Sequence, residues 1–250
     1  MNNPLFQALV QLGDDSLILG QRLCEWSGHA PSIEVDLSLS NLALDLIGQA
    51  TLLLDYAGEV EGASRNADLL AFHRDAEHFR NCLLVEQPNG DFGQTIVRHF
   101  LYSTYAVALF GELSHSRDSG LAEIAAKAIK ELRYHAEYAA EWTVRLGDGT
   151  EESHTRMRDA LDWHWRFVDD MFLDDTAWSA CAEQGLVPLR QTLRVAFDQT
   201  VSALLARAGL SVPREVWAIG GGRSGRHSEH LSVMLATMQV LPRAHPQASW

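Results

Sequence analysis

Cysteine is scarce in this 250-residue chain: Cys24, Cys82 and Cys181 are odd in number, far apart, and form no Cys-x-x-Cys pair. That pattern argues against a disulfide framework or a thiolate zinc site and leaves buried, reduced thiols. Basic residues are also few. Against 33 Asp and Glu stand 20 Lys and Arg, a formal charge of −13, so nucleic acid and anionic membrane surfaces would repel the chain at long range. No apolar run approaches bilayer length, and the opening Met-Asn-Asn-Pro-Leu-Phe-Gln lacks the basic flank and cleavage pattern of a signal peptide. A cytoplasmic location without membrane or nucleic-acid partners is therefore expected. Clean alternation of apolar and polar residues is absent, which speaks against strands and for an all-α chain. There is no solenoid repeat, and biased composition is confined to Gly220-Gly221-Gly222-Arg223-Ser224-Gly225-Arg226.

What the sequence does hold is helical periodicity in a normal hydrophobic content of 46%, enough for one domain with a substantial core. The most apolar stretch is Asp36 to Tyr56. Leu39, Leu42, Leu46, Gln49, Leu53 and Tyr56 recur at steps of three and four, and Leu44, Ile47 and Leu52 widen that face almost all round. A helix of this kind is normally buried against several neighbours, so Asp45 and Gln49 are expected to be paired core groups or part of a site. Asp36 is the expected N-cap.

Before it, Leu5, Leu9, Leu12, Leu19, Leu23 and Trp26 mark a first helix, ended by the Gly28 to Pro31 turn. Asp68 to Leu84 again shows helical spacing and leads to the turn Glu86-Gln87-Pro88-Asn89-Gly90-Asp91, the signature of a crossover. A third helix follows from Phe92 to about Ser114 and a fourth from Leu121 to Leu146. Two hairpins joined by one long crossover is the plan of a ferritin-like four-helix bundle, with the core at about 4–147 and additional C-terminal helices at about 153–241.

Such bundles hold di-iron centres with four carboxylates and two Glu-x-x-His histidines. Glu112/His115, Glu151/His154 and Asp75/His78 match the spacing but fall at helix ends, loops or the crossover. At mid-bundle the chain offers only Asp15, Asp45, Glu131 and His135. Gly48 stands three residues after Asp45 and Tyr134 three after Glu131, and the third helix has Tyr102 and Tyr105 but no mid-helix carboxylate. This is a degenerate set, so no metal or catalytic residue is expected. Arg22, Lys130 or Arg133 are the expected neutralising partners of its acids.

The runs at 12–31 (Leu-Gly-Asp-Asp-Ser to Gly-His-Ala-Pro), 45–50 (Asp-Leu-Ile-Gly-Gln-Ala), 83–92 (Leu-Leu-Val-Glu-Gln-Pro-Asn-Gly-Asp-Phe), 128–135 (Ala-Ile-Lys-Glu-Leu-Arg-Tyr-His) and 227–231 (His-Ser-Glu-His-Leu) resemble the C subunits of the phenylacetyl-coenzyme A monooxygenases, or ring 1,2-epoxidases. The resemblance covers nearly the whole chain, in five separated runs in one order. It implies a ferritin-like fold and a structural, non-catalytic partner of a homologous catalytic A subunit whose di-iron centre activates dioxygen. It also implies a small B subunit and an NADPH-dependent reductase, in a complex that epoxidises the aromatic ring in aerobic phenylacetate breakdown.

In the degenerate site, the register expected from the resemblance puts Asp45 with Gly48, and Glu131 with Tyr134, at the ligand pairs. Two further features have functional and plain readings. Arg223 and Arg226 in the glycine-rich segment could meet coenzyme A phosphates near a helix start, or the segment is a simple connector. Trp163, Trp165 and Trp178 spread around their elements and supply either interface anchors or extra packing. A homodimer is a further expectation. The rival functions are an independently active di-iron oxygenase or oxidase, and a helical scaffold unrelated to oxygen chemistry.

Overall fold

Helix α1 (Pro4–Cys24) and helix α2 (Ile33–Glu61) form the first antiparallel hairpin of the computed structural model, which describes residues 3–214, 216–246 and 248. Asn3 caps α1, and Pro4 sits in its first turn, where a missing N–H costs nothing. The cap of α2 is Ser32, whose Oγ accepts from the Val35 N–H, and not Asp36. Asp36 lies one turn inside and uses its carboxylate to accept the Gly28 N–H at 2.7 Å, closing the α1–α2 turn. A left-handed Gly62 ends α2.

The crossover from 62 to 91 is less helical than its periodicity implies. It contains a six-residue helix α3 (Ala67–Phe72), a 3₁₀ turn at 76–78 and a four-residue helix α4 (Leu83–Glu86). The second hairpin follows: α5 (Phe92–Leu113), capped by Asp91, and α6 (Ser119–Gly147), capped by Asp118. Asp118 also accepts the Tyr56 hydroxyl at 2.9 Å and so ties the end of α2 to the start of α6.

The rest of the chain wraps this bundle. Helix α7 (Glu151–His164) starts from a Thr150/Ser153 capping box and runs into two 3₁₀ turns at 165–172. Helix α8 (Thr176–Glu183), capped by Asp175, packs on α1. Helix α9 (Arg194–Arg207) lies on α5 and α6, and α10 (Glu229–Ala244) against α3. Among the described residues these ten α-helices are joined by turns and no strand, an all-α, ferritin-like arrangement. The periodic segments 4–24, 92–113 and 119–147 form where their apolar spacing places them. Helix α8 escapes such a reading because eight residues are too few for two full periods.

Trp178 occupies the α8–α1 junction with no exposure. Its Nε1–H donates to the Pro188 carbonyl at 2.8 Å, and the Arg190 guanidinium lies 3.4 Å above its ring. It is a core residue of this chain, so of the two readings of Trp178 the structure carries extra packing and not an interface anchor. Helix α2 is by length and composition apolar enough to cross a bilayer, a test that a core helix of a globular protein also passes. In the fold one face of it packs against α1 and α6.

Candidate functional site

The middle of the bundle is where a ferritin-like protein holds its chemistry, and there the inward register differs by one residue from the expected one. Gly48 and Tyr134 are exposed. Of the i, i+3 pairs with both members buried in α2 and α6, those that include a polar side chain are Leu46/Gln49 and Leu132/His135. These two inward pairs carry no carboxylate, and His135 is the single imidazole among them. From α1 the inward group is Ser16, whose Oγ accepts from Gln49 Nε2 at 2.7 Å. From α5 come His99 and Ser103, both buried.

Three of the four sequence candidates do come together, on the α2–α6 side. Asp45 Oδ2 lies 3.2 Å from His135 Nε2, and Asp45 and Glu131 line one small groove of about 110 Å³ with Gly48, Gln49 and Lys127. Burial raises the Glu131 carboxyl above its usual range, the Asp45 charge adds to this, and Lys127 opposes it. The His135 imidazole is pushed down by burial, against the hydrogen bond and charge of Asp45. Its ring lies 5.2 Å, centroid to centroid, from that of His99. His99 is held well below the ordinary histidine value, first by burial and then by His135 and Arg98. The centre thus holds two buried imidazoles whose environment disfavours the charged form and a buried serine–glutamine hydrogen bond. His99 is the member that sequence reasoning missed. Its spacing of three from Ile96 and seven from Phe92 puts it on the apolar face of α5 and was the available signal.

The fourth candidate, Asp15, faces the other way. Its carboxylate accepts from Arg223 Nη1 and Nη2 at 2.9 and 2.7 Å and from the Cys82 N–H at 2.7 Å. Its neighbour Asp14 pairs with Arg74 and accepts the Arg80 N–H at 2.8 Å. Asp170 takes the N–H groups of Leu83 and Gly221, each at 2.8 Å. Glu86 takes Asn81 Nδ2, His227 Nδ1 and the Ser228 N–H. Four buried carboxylates thereby satisfy the irregular backbone of the crossover and of the 221–228 segment, which would otherwise carry unpaired amides into the interior. The buried ion-pair network exists, but its cations are Arg74 and Arg223. Lys130 and Arg133 are exposed, and Arg22 instead donates to the Glu86 carbonyl and Glu25.

This geometry corrects the reading of Arg223 as a phosphate ligand: its guanidinium is buried and already occupied by Asp15 and by the carbonyls of Gln11 and Arg80. Arg226 is exposed and lines a surface cavity of about 530 Å³ together with Trp163, Phe167 and Ile219. Trp163 remains 38% exposed, with Arg166 stacked on it, and Trp165 is half-buried. Glu112/His115, Glu151/His154 and Asp75/His78 all lie away from the bundle centre. His115 and His154 are bound to the carbonyls of Gly111 and Gly147, and Asp75 to Arg243.

The donor set does not fit a metal pair. Among the described residues no three His, Cys, Asp or Glu side chains are arranged to hold a metal ion, and the inward Ser16, Leu46, Gln49 and Leu132 supply none of the charge that two iron ions require.

Comparison with known proteins agrees with the architecture. The C subunit of the 1,2-phenylacetyl-CoA epoxidase of Escherichia coli (strain K12) is 47% identical over 248 residues, covering 99% of this chain and 100% of that protein. The profile of the family described as phenylacetic acid catabolic protein matches residues 1–250, and the chain belongs to that family.

Proposed function

We propose that this chain is the structural subunit of a phenylacetyl-coenzyme A epoxidase in aerobic phenylacetate catabolism, binding and stabilising a di-iron catalytic subunit without performing chemistry itself. The observation that supports this reading is that the buried mid-bundle pairs Leu46-x-x-Gln49 and Leu132-x-x-His135 carry no carboxylate. Buried leucine and glutamine preserve the packing of the bundle but bring no negative charge to balance iron.

The role is mechanical. A rigid bundle packed against its homologue removes water from the partner's surface and holds the partner's helices at the separation its metals need. The complete assembly includes the catalytic A subunit, the small B subunit and the reductase, and works in the cytoplasm. Reconstitution tests this. Phenylacetyl-coenzyme A oxygenation requires the catalytic subunit, is raised by adding this chain, and is absent with this chain and reductase alone. Turnover by this chain without the catalytic subunit would overturn the reading.

A further inference from the structure

Helix α2 is apolar almost all round, yet the fold covers only part of it. Ile33, Leu37 and Leu44 are 77%, 61% and 65% exposed, and Gly48 and Leu52 continue the same face. Their spacings of four, seven, four and four residues set them in one stripe along the helix. At its N-terminal end the stripe borders a concavity of about 420 Å³ formed by Gly28, Ala30, Ser32 and Asp36. Further along it borders the α2–α6 groove that contains Asp45 and Glu131. Ser40 and Asn41 are the polar residues of this face between Leu37 and Leu44, and exposed apolar surface rimmed by polar residues in this way marks an interaction site.

Gly48 adds an independent observation. Glycine inside a helix costs roughly 1 kcal/mol relative to alanine, and here a Cβ would meet nothing within 4 Å. Nothing in this chain uses the missing side chain, whereas another helix crossing the stripe at Gly48 would. The charges say which kind of helix. α2 carries Glu34, Asp36, Asp45, Asp55, Glu59 and Glu61, and no lysine, arginine or histidine. A second copy would set two such helices together in a chain of net charge −13, at a cost in like-charge repulsion.

We infer that the Ile33–Leu52 stripe of α2 is the docking face for the catalytic subunit of the same assembly, through an apolar helix flanked by lysine and arginine that crosses α2 at Gly48. This rests on the structural-subunit reading above and adds to it the surface and the chemistry of the partner.

The test measures binding of the full-length chain to the catalytic subunit of the same organism, with sedimentation velocity of each protein alone. Leu37→Glu with Leu44→Glu, and separately Gly48→Trp, are expected to weaken the complex by about 30-fold or more, the loss that follows when a central contact is removed. Circular dichroism should show them folded, since all three positions are exposed. Val195→Glu with Val233→Glu, exposed on α9 and α10, should bind as wild type, and wild-type affinity should fall with added salt. Folded stripe variants that bind the catalytic subunit as tightly as wild type would overturn the docking face alone. A wild-type homodimer dissolved by the stripe variants would overturn the choice of partner. Failure of the wild type to bind any epoxidase subunit would overturn the structural-subunit reading, and this inference with it.

Discussion

Asp15 and Arg223, 208 residues apart in the chain, meet in the interior as a two-point ion pair with N–O distances of 2.9 and 2.7 Å. Asp15, the acid that the sequence offered on α1 as a metal-ligand candidate, is turned toward the C-terminal segment and holds it against the crossover. A one-sided loss at this pair leaves a buried charge. Asp15→Ala or Arg223→Ala is therefore expected to cost about 3–5 kcal/mol, read as a lowered urea midpoint. Asp15→Leu combined with Arg223→Met recovers part of that, but not all, because the Cys82 amide loses its acceptor. The exposed Arg226→Ala should change stability by less than about 0.5 kcal/mol.

The same substitution should have opposite signs at two places on α2. At Gly48 a Cβ meets open space, so Gly48→Ala stabilises the isolated chain by up to about 1 kcal/mol. At Gly58 a Cβ would collide with the Arg65 carbonyl oxygen, and the α2–α3 connection must shift to admit it, so Gly58→Ala destabilises by more than the helix-propensity gain. Thermal unfolding of the two single variants checks both signs.

Burial pushes three imidazoles, His99, His135 and His164, below the ordinary histidine value, His164 to about 3. A base whose folded pKa is depressed gives its full stability above the unfolded value of about 6.5 and loses it as pH falls toward the folded one. Each such group steepens the acid limb by up to about 1.4 kcal/mol per pH unit. His164→Gln should flatten that limb in urea titrations between about pH 4.5 and 6.5. An unchanged slope would contradict the assignment.

His227 behaves in the opposite sense. Burial acts to lower its pKa, but the hydrogen bond and charge of Glu86 outweigh it, so the value is raised. Its contribution is complete below about 6.5 and is lost as pH rises through the folded value. His227→Gln should therefore remove a decline in stability on the alkaline side of neutrality, measured by the same titration.

Much of the bundle was legible because long helices repeat their apolar signal many times. The leucines of α1 and α6 define both elements and their buried faces. The crossover misled because Asp68 to Leu84 has helical spacing while its backbone is satisfied by side chains from elsewhere: Asp14, Asp15 and Asp170 accept its amides from 66 to 87 residues away. No local pattern records that. The site was half legible. Asp45, Glu131 and His135 do adjoin, but the register was one residue off, because Asp45 and Glu131 are the conspicuous acids while the inward positions hold Leu46 and Leu132. The exposed stripe on α2 was invisible for a simpler reason: hydrophobicity reports which residues avoid water, and not whether the same chain or another one covers them.

Iron content and turnover, measured on this chain, on the catalytic subunit and on their complex after identical ferrous loading, test the assignment most directly. The prediction is that bound iron and phenylacetyl-coenzyme A oxygenation both follow the catalytic subunit, with this chain alone retaining no stoichiometric iron and showing no turnover. A di-iron complement retained by this chain alone, with activity to match, would contradict it.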